Sequence, residues 1–239
     1  MKLDVLAIGA HPDDVELGCG GTVALLARRG LVVGVLHLTQ GESGTRGTAE
    51  ERRMEAEKAA SLLGASATDF LDCGDGGLRT GPDEENQLIS ALRRLRPELI
   101  LGPTPSDRHP DHGRAHRLVA DACYYSGLAR RGTDKPHRPA AVFSYMQHDP
   151  FEPRFIVDVS STWEIKLQSL EAYQSQLHQG DSDRNEPPTK VASPEFRQAV
   201  VGRAQHYGLL IGAAYGEPFW SRLPLAVSDP WMLLPRGLR

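Results

Sequence analysis

The stretch Val5-Leu6-Ala7-Ile8-Gly9-Ala10-His11-Pro12-Asp13-Asp14 decides the fold. An apolar run from Asp4 to Gly9 is too short for a helix and reads as a buried strand. It ends abruptly in imidazole, proline and two carboxylates. The pattern returns a hundred residues later, where Glu98 to Leu101 reads as a strand and is followed by His109-Pro110-Asp111-His112. Either string alone would be an ordinary turn with a helix cap, since Asp and Pro are at home there. Together, each just past a strand, they offer neutral imidazole nitrogen and carboxylate oxygen, the donors a divalent metal prefers. Such a set can supply three protein ligands, leave a position for water, and keep one carboxylate free as a base. The chain therefore reads as a metal-dependent hydrolase.

Outward from these strings, strand-like and helix-like stretches alternate through the first 145 residues. Gly20 to Arg29 reads as a helix, Leu31 to Leu38 as a strand, and Thr39 to Thr48 as a loop. Thr48-x-x-Glu51 is a capping box opening a helix that ends near Leu63-Gly64. Ala67 to Leu71 is a weaker strand and Cys73 to Pro82 a Gly-rich loop. Asp83 is expected to cap a helix through Arg94, and His112 to Tyr125 fits another. Beyond them, Ala140 to Met146 and Phe155 to Val159 read as strands, Trp163 to Leu177 and Pro194 to Leu210 as helices. Gly180 to Ser193 reads as a surface loop or lid, and the tail from Glu217 either closes the core or meets another subunit. The order predicts one α/β domain over residues 1–239, with a Rossmann-like, mostly parallel sheet and helices on both faces. Ligands of such sheets sit beyond the carboxyl ends of strands, where connections diverge.

Composition excludes several classes. Of 239 residues, 40% are hydrophobic and 24% charged, enough for one sizeable core. A net charge of −4 supplies no basic face for nucleic acid. No apolar run approaches the ~20 residues of a membrane span, so no membrane association is expected. The three cysteines, Cys19, Cys73 and Cys123, form no C-x-x-C pair and read as buried free thiols in a reducing cytoplasm. Gly18-Cys19-Gly20-Gly21 lacks dinucleotide-binding spacing, and Asp13, Asp14 and Glu16 would repel a pyrophosphate. These glycines are expected to permit close helix packing. His116, one turn after His112, reads as facing substrate or lying behind a ligand, and His148 as a pocket wall.

The two strings resemble the LmbE-like (PIG-L) family of zinc-dependent N-acetylglucosamine deacetylases. The resemblance extends through Leu38-Thr39, Gly41-Glu42, Gly44 to Thr48, Arg52, Phe143-Ser144-Tyr145-Met146-Gln147, Phe155 to Val159, Gly202-Arg203-Ala204 and Tyr207-Gly208. The later segments resemble the branch that deacetylates N-acetylglucosaminyl-malate in bacillithiol biosynthesis. The resemblance implies one Zn2+ per chain held by His11, Asp14 and His112, with Asp13 as general base. It implies His109 as the group facing the oxyanion, there to supply positive charge; Asp111 is expected to orient it and keep it protonated, and Arg52 to support the pocket or bind substrate. Arg46 and Arg108 are expected to join Arg52 in recognising the substrate carboxylates. The expected partners are a small sugar conjugate and, as hexamers occur in the family, further copies of the chain. Alternative readings are another N-acetyl sugar (an inositol conjugate or a chitooligosaccharide), a non-catalytic metal or sugar-binding module, and a two-metal phosphoesterase.

Overall fold

The computed structural model describes residues 1–132, 134–176, 189, 191 and 193–229. Nearly all of the expected 180–193 loop, and His178, lie outside the described residues. Seven strands form one sheet in the order β3-β2-β1-β4-β5-β7-β6. They are β1 (Val5–Gly9), β2 (Val33–His37), β3 (Ala67–Phe70), β4 (Leu99–Gly102), β5 (Ala141–Tyr145), β6 (Phe155–Asp158) and β7 (Gly216–Trp220). The first five are parallel, and β7 runs antiparallel between β5 and β6.

The helices are α1 (Asp14–Arg28), α2 (Ala49–Leu62), α3 (Pro82–Leu95), α4 (Pro110–Ser126), α5 (Trp163–Glu171) and α6 (Pro194–Leu210). Strand alternation sorts them onto two faces. Leu6, Ile8, Leu36 and Ile100 pack with Leu88 and Leu92 of α3 and Leu118 and Val119 of α4. Val5, Ala7, Val33, Val35 and Leu101 pack with Val15 and Val23 of α1 and Ala60 of α2. Each apolar strand is thus buried on both sides, which is why β1 and β2 carry no polar alternation. All three cysteines are buried and unpaired.

Several boundaries differ from those expected. Helix α1 starts at Asp14, six residues before Gly20. Asp13 adopts φ 100°, a left-handed conformation rare outside glycine, and turns the chain straight from the loop into the helix. Packing demands these glycines, since a Cβ on Gly18 would sit 2.1 Å from Cδ2 of Tyr145. The helix is interrupted among them by a kink at Cys19 (φ −145°, ψ 21°). Glu217 fills the gap, accepting from Gly21 N (2.9 Å), Thr22 N (2.7 Å) and Thr22 Oγ1 (2.6 Å). Lys166 donates to the same carboxylate and to the Leu17 carbonyl, so both broken ends of α1 are satisfied by a buried ion pair.

The Thr48–Glu51 capping box forms as expected, with both reciprocal bonds present. Asp83 does not cap α3; Gly81 precedes Pro82 at the first position, and the Glu84 carboxylate accepts from Gly81 N. Helix α5 stops at Glu171, and Ala172 to Gln176 is a turn. The tail's opening residues close the core as β7. Pro218 fits inside the sheet because the Phe219 carbonyl faces β6, accepting from Arg154 N, so Pro218 faces the other way. Pairing with β5 covers only Phe219 and Trp220, leaving no ladder bond for Pro218 to miss.

Candidate metal centre and active site

The β1–α1 and β4–α4 loops leave adjacent parallel strands toward different neighbours, one returning at β2 and the other at β5. That divergence opens the crevice in which His11 and the His109–His112 string meet. The ring centroids of His11, His109 and His112 lie 4.8 to 5.6 Å apart.

Asp14 stands between the two buried histidines. Its Oδ1 is 3.3 Å from His112 Nε2 and its Oδ2 is 3.5 Å from His11 Nδ1. Tetrahedral coordination with bonds of ~2.0–2.1 Å places neighbouring ligand atoms ~3.3 Å apart. Both contacts are near that length, each through a different oxygen of Asp14, and these donors could hold a divalent ion. Each histidine is backed on its other nitrogen by a carboxylate. His11 Nε2 lies 3.1 Å from Asp75 and 3.3 Å from Asp111, and His112 Nδ1 lies 3.2 Å from Asp107. Carboxylates in that position fix the tautomer and orientation of a metal-binding imidazole. Three donor groups here are compact enough for an ion: His11 with His109 and His112, His11 with Asp75 and Asp111, and His112 with Asp107 and His148; each shares a histidine with the expected set.

The electrostatics also favour a cation. Five aspartates, 13, 14, 75, 107 and 111, converge on a largely buried pocket, and buried negative charge is costly without a positive partner. Without an ion, the imidazoles take that role. Burial opposes protonation of His112, but Asp14 and Asp107 outweigh it and lift its pKa to about 9. His11 is likewise raised, burial being overcome by Asp111, Asp14 and Asp75. For Asp107, burial is outweighed by His112 and by the backbone N–H groups of His148 and His109, which hold it below the usual range.

Asp13 is buried beside the Asp14 carboxylate. Burial, opposed by the Arg52 guanidinium and reinforced by Asp14, lifts it to about 7. A carboxyl poised there can both take and return a proton near neutral pH. His109 caps α4, its Nδ1 accepting from Asp111 N at 3.2 Å. That acceptor role leaves the proton on Nε2, and burial together with the charges of His11 and His112 keeps the ring neutral.

Two expected roles need correction. Asp111 neither orients the His109 ring nor keeps it protonated; its carboxylate is committed to His11 Nε2, Leu78 N (3.0 Å) and Arg114 (3.0 Å). Arg52 is spent on the scaffold, donating to the Gly41 carbonyl (3.0 Å) and the Pro12 carbonyl (2.9 Å). It ties the β2–α2 loop to the His-Pro-Asp-Asp loop. Arg108 is exposed at the crevice rim, whereas Arg46 lies in the loop before α2, where its carbonyl accepts from Gln176. His116 turns away, pairing with the Pro103 carbonyl (3.0 Å).

Sequence reasoning missed Asp75, Asp107 and Gln147, whose side-chain amide donates to Asp14 Oδ1. Glu16 is fully buried with neither carboxyl oxygen in a well-formed hydrogen bond, and burial lifts it to about 8. His148 does form a wall, stacked on His112 at 5.7 Å.

Comparison with known proteins identifies the family. The sequence profile of the family described as PIG-L, GlcNAc-PI de-N-acetylase, matches residues 6–123. A diacetylchitobiose deacetylase of Thermococcus kodakarensis is 32% identical over 89% of this chain and 80% of its own length. A 4-oxalmesaconate hydratase of Pseudomonas putida is 30% identical over 72% of this chain and 74% of its own. The crystal structure of a conserved protein from Thermus thermophilus superposes with a TM-score of 0.86 at 38% identity, covering 96% of this chain and 98% of that one. The chain belongs to the PIG-L family, and its single-domain α/β fold is that family's fold.

Proposed function

We propose that the protein hydrolyses the N-acetyl group of an N-acetylglucosamine conjugate, with one Zn2+ held by His11, Asp14 and His112. The observation carrying this reading is Asp14 set at ligand spacing between two carboxylate-backed histidines, with the buried Asp13 next in sequence. A binding module has no use for that extra carboxylate, and a two-ion phosphoesterase needs a second separate set of carboxylates. The family description and the Thermococcus deacetylase support the same chemistry.

A zinc ion held by these residues would supply Lewis-acid chemistry, making water easier to deprotonate and an acetamide carbonyl easier to attack. Asp13 takes the proton from water as it attacks that carbonyl. The Nε2–H of neutral His109 donates to the developing oxyanion. Asp111 and Asp107 hold His11 and His112 in the required tautomers. Asp13 then returns its proton to the departing amine, so that amide and water become acetate and the free amine of the glucosaminyl conjugate.

The particular substrate expected is N-acetylglucosaminyl-malate, as in bacillithiol biosynthesis, acting in the cytoplasm. The likeness to the Thermococcus enzyme favours a chitooligosaccharide as the second reading. Free-amine release from each, by zinc-loaded protein, separates the two. Asp13→Asn should retain zinc and lose about 10²–10⁴-fold in rate; retention of the full rate refutes Asp13 as base. The expected homo-oligomer is supported by exposed Leu209 and Leu210 at the end of α6, and light scattering tests it.

A further inference from the structure

Beside the metal centre a cleft of about 440 Å³ runs between the loop after β5 and helix α6. It begins at Gln147 and His148, which touch Asp14 and stack on His112 respectively, so it is continuous with the crevice. Its floor is apolar, with Leu17, Met146 and Val200, and Phe196 stands on its α6 wall. Its charged side chains are unbalanced. Arg108 and Arg203 both line it, and Asp149 at the rim is the one carboxylate among the described lining residues.

Neither arginine is consumed by the scaffold. Arg203 makes one hydrogen bond among the described residues, from Nη2 to the Leu17 carbonyl at 3.1 Å, which leaves Nε and Nη1 uncommitted. Arg108 is exposed and makes no side-chain hydrogen bond among the described residues. This contrasts with Arg52 and Arg93, whose guanidinium groups are bound to backbone carbonyls. The uncommitted guanidinium of Arg108 and the remaining N–H groups of Arg203, over an apolar floor, suit an anion attached to a small organic body.

We propose that this cleft is a second subsite, in which Arg203 and Arg108 bind an anionic aglycone while the acetamide sits at the metal. The inference rests on the deacetylase reading and adds to it the location and the charge of the non-reacting half of the substrate. Carboxylate and phosphate share the chemistry that these N–H groups recognise. Helix α6 is therefore a specificity element, although it contributes nothing to the metal cluster.

The test compares isosteric substrates that differ in charge. N-acetylglucosaminyl-malate and its dimethyl ester are assayed with zinc-loaded wild type, Arg203→Gln, Arg203→Lys and Arg108→Gln. An N-acetylglucosaminyl glycerol phosphate, with its methyl phosphotriester, serves as the phosphate arm. Wild type should prefer the charged member of at least one pair by about 10-fold or more in kcat/KM, expressed in KM, since a charge-assisted hydrogen bond contributes ~1.5–3 kcal/mol. Each glutamine variant should lower that ratio by about 10-fold, and Arg203→Lys should recover part of it. A scaffold role for Arg203 would slow both members of a pair in parallel and leave the ratio unmoved. A wild-type ratio near one in both pairs, or a ratio unmoved in both glutamine variants, overturns the proposal. If no amide is cleaved, the deacetylase reading fails by itself. The subsite is then judged by equilibrium binding of the deacetylated malate conjugate against its diester, with the same ratios expected.

Discussion

Replacing Glu217 by alanine tests whether the break in α1 is held by charge. In the native chain the Glu217 carboxylate receives two backbone N–H groups, a hydroxyl and the Lys166 ammonium, with both charged side chains about 2–3% exposed. Alanine strands that ammonium in a dry interior with the Leu17 carbonyl as its remaining partner, and leaves Gly21 N and Thr22 N without acceptors. Summing four hydrogen bonds would overshoot, because each replaces a bond to water. Breaking one side of a buried ion pair costs ~3–5 kcal/mol, which here includes the uncompensated lysine. For a chain of this size ~1 kcal/mol moves Tm by ~2–4 °C, so Tm should fall by about 6–20 °C. The assay is thermal unfolding by circular dichroism at pH 7, in parallel with urea titration. The double variant Lys166→Met with Glu217→Gln should lose less than Glu217→Ala, since no charge is then left buried alone. A Tm drop below ~3 °C for Glu217→Ala, or a double variant worse than the single, would refute this account.

Further outcomes follow from the site. Asp111→Asn removes the charge behind His11 and should weaken zinc binding by about 10–100-fold, read by competition with a chelator; unchanged affinity would place Asp111 outside the metal's support. Glu16 is held protonated up to about pH 8 when folded but ionises near 4.5 when unfolded. Over that window the unfolded state binds fewer protons, so stability falls as pH rises, by ~1.4 kcal/mol per pH unit for one proton. Glu16→Gln in the metal-free protein should lessen the observed slope by that amount, Asp13, His11 and His112 supplying the rest, and urea midpoints at pH 5.5, 6.5 and 7.5 measure it; an unchanged slope removes Glu16 as a source. Gly18→Ala drives a methyl into the Tyr145 ring and should cost at least ~1–3 kcal/mol by denaturant titration. A neutral result would mean that the Tyr145 ring yields freely.

The parallel half of the sheet was legible because β1, β2 and β4 are short apolar runs, each followed by loop residues of unmistakable polarity. The proposed ligands stood out because two of them share one pentapeptide and the third closes a tetrapeptide. Residues behind those ligands were not. Asp75 sits in a Gly-rich loop and Asp107 in a polar one, where an aspartate is ordinary; only the fold brings them to His11 and His112. Likewise β7 is five residues with a glutamate and a proline, and its pairing to β6 spans about sixty residues that no local periodicity encodes. Arg52 was singled out correctly as near the site, yet its task is set by two carbonyls that sequence cannot place.

The position of β7 has a consequence for biosynthesis. Strand β6 pairs with β7 alone, and β7 emerges about sixty residues after β6 is complete. At ~5–20 residues per second, β6 and Lys166 wait ~3–12 s on the ribosome without their partners. During that interval α1 can dock its apolar face on the nascent parallel strands, but its kink lacks the carboxylate that completes it. Glu217, the support for the helix carrying Asp14, is made about two hundred residues after the His11–Asp14 loop. The final geometry at Asp14 should therefore be acquired only once that segment has emerged, and a divalent ion offered before then would meet an unfinished site.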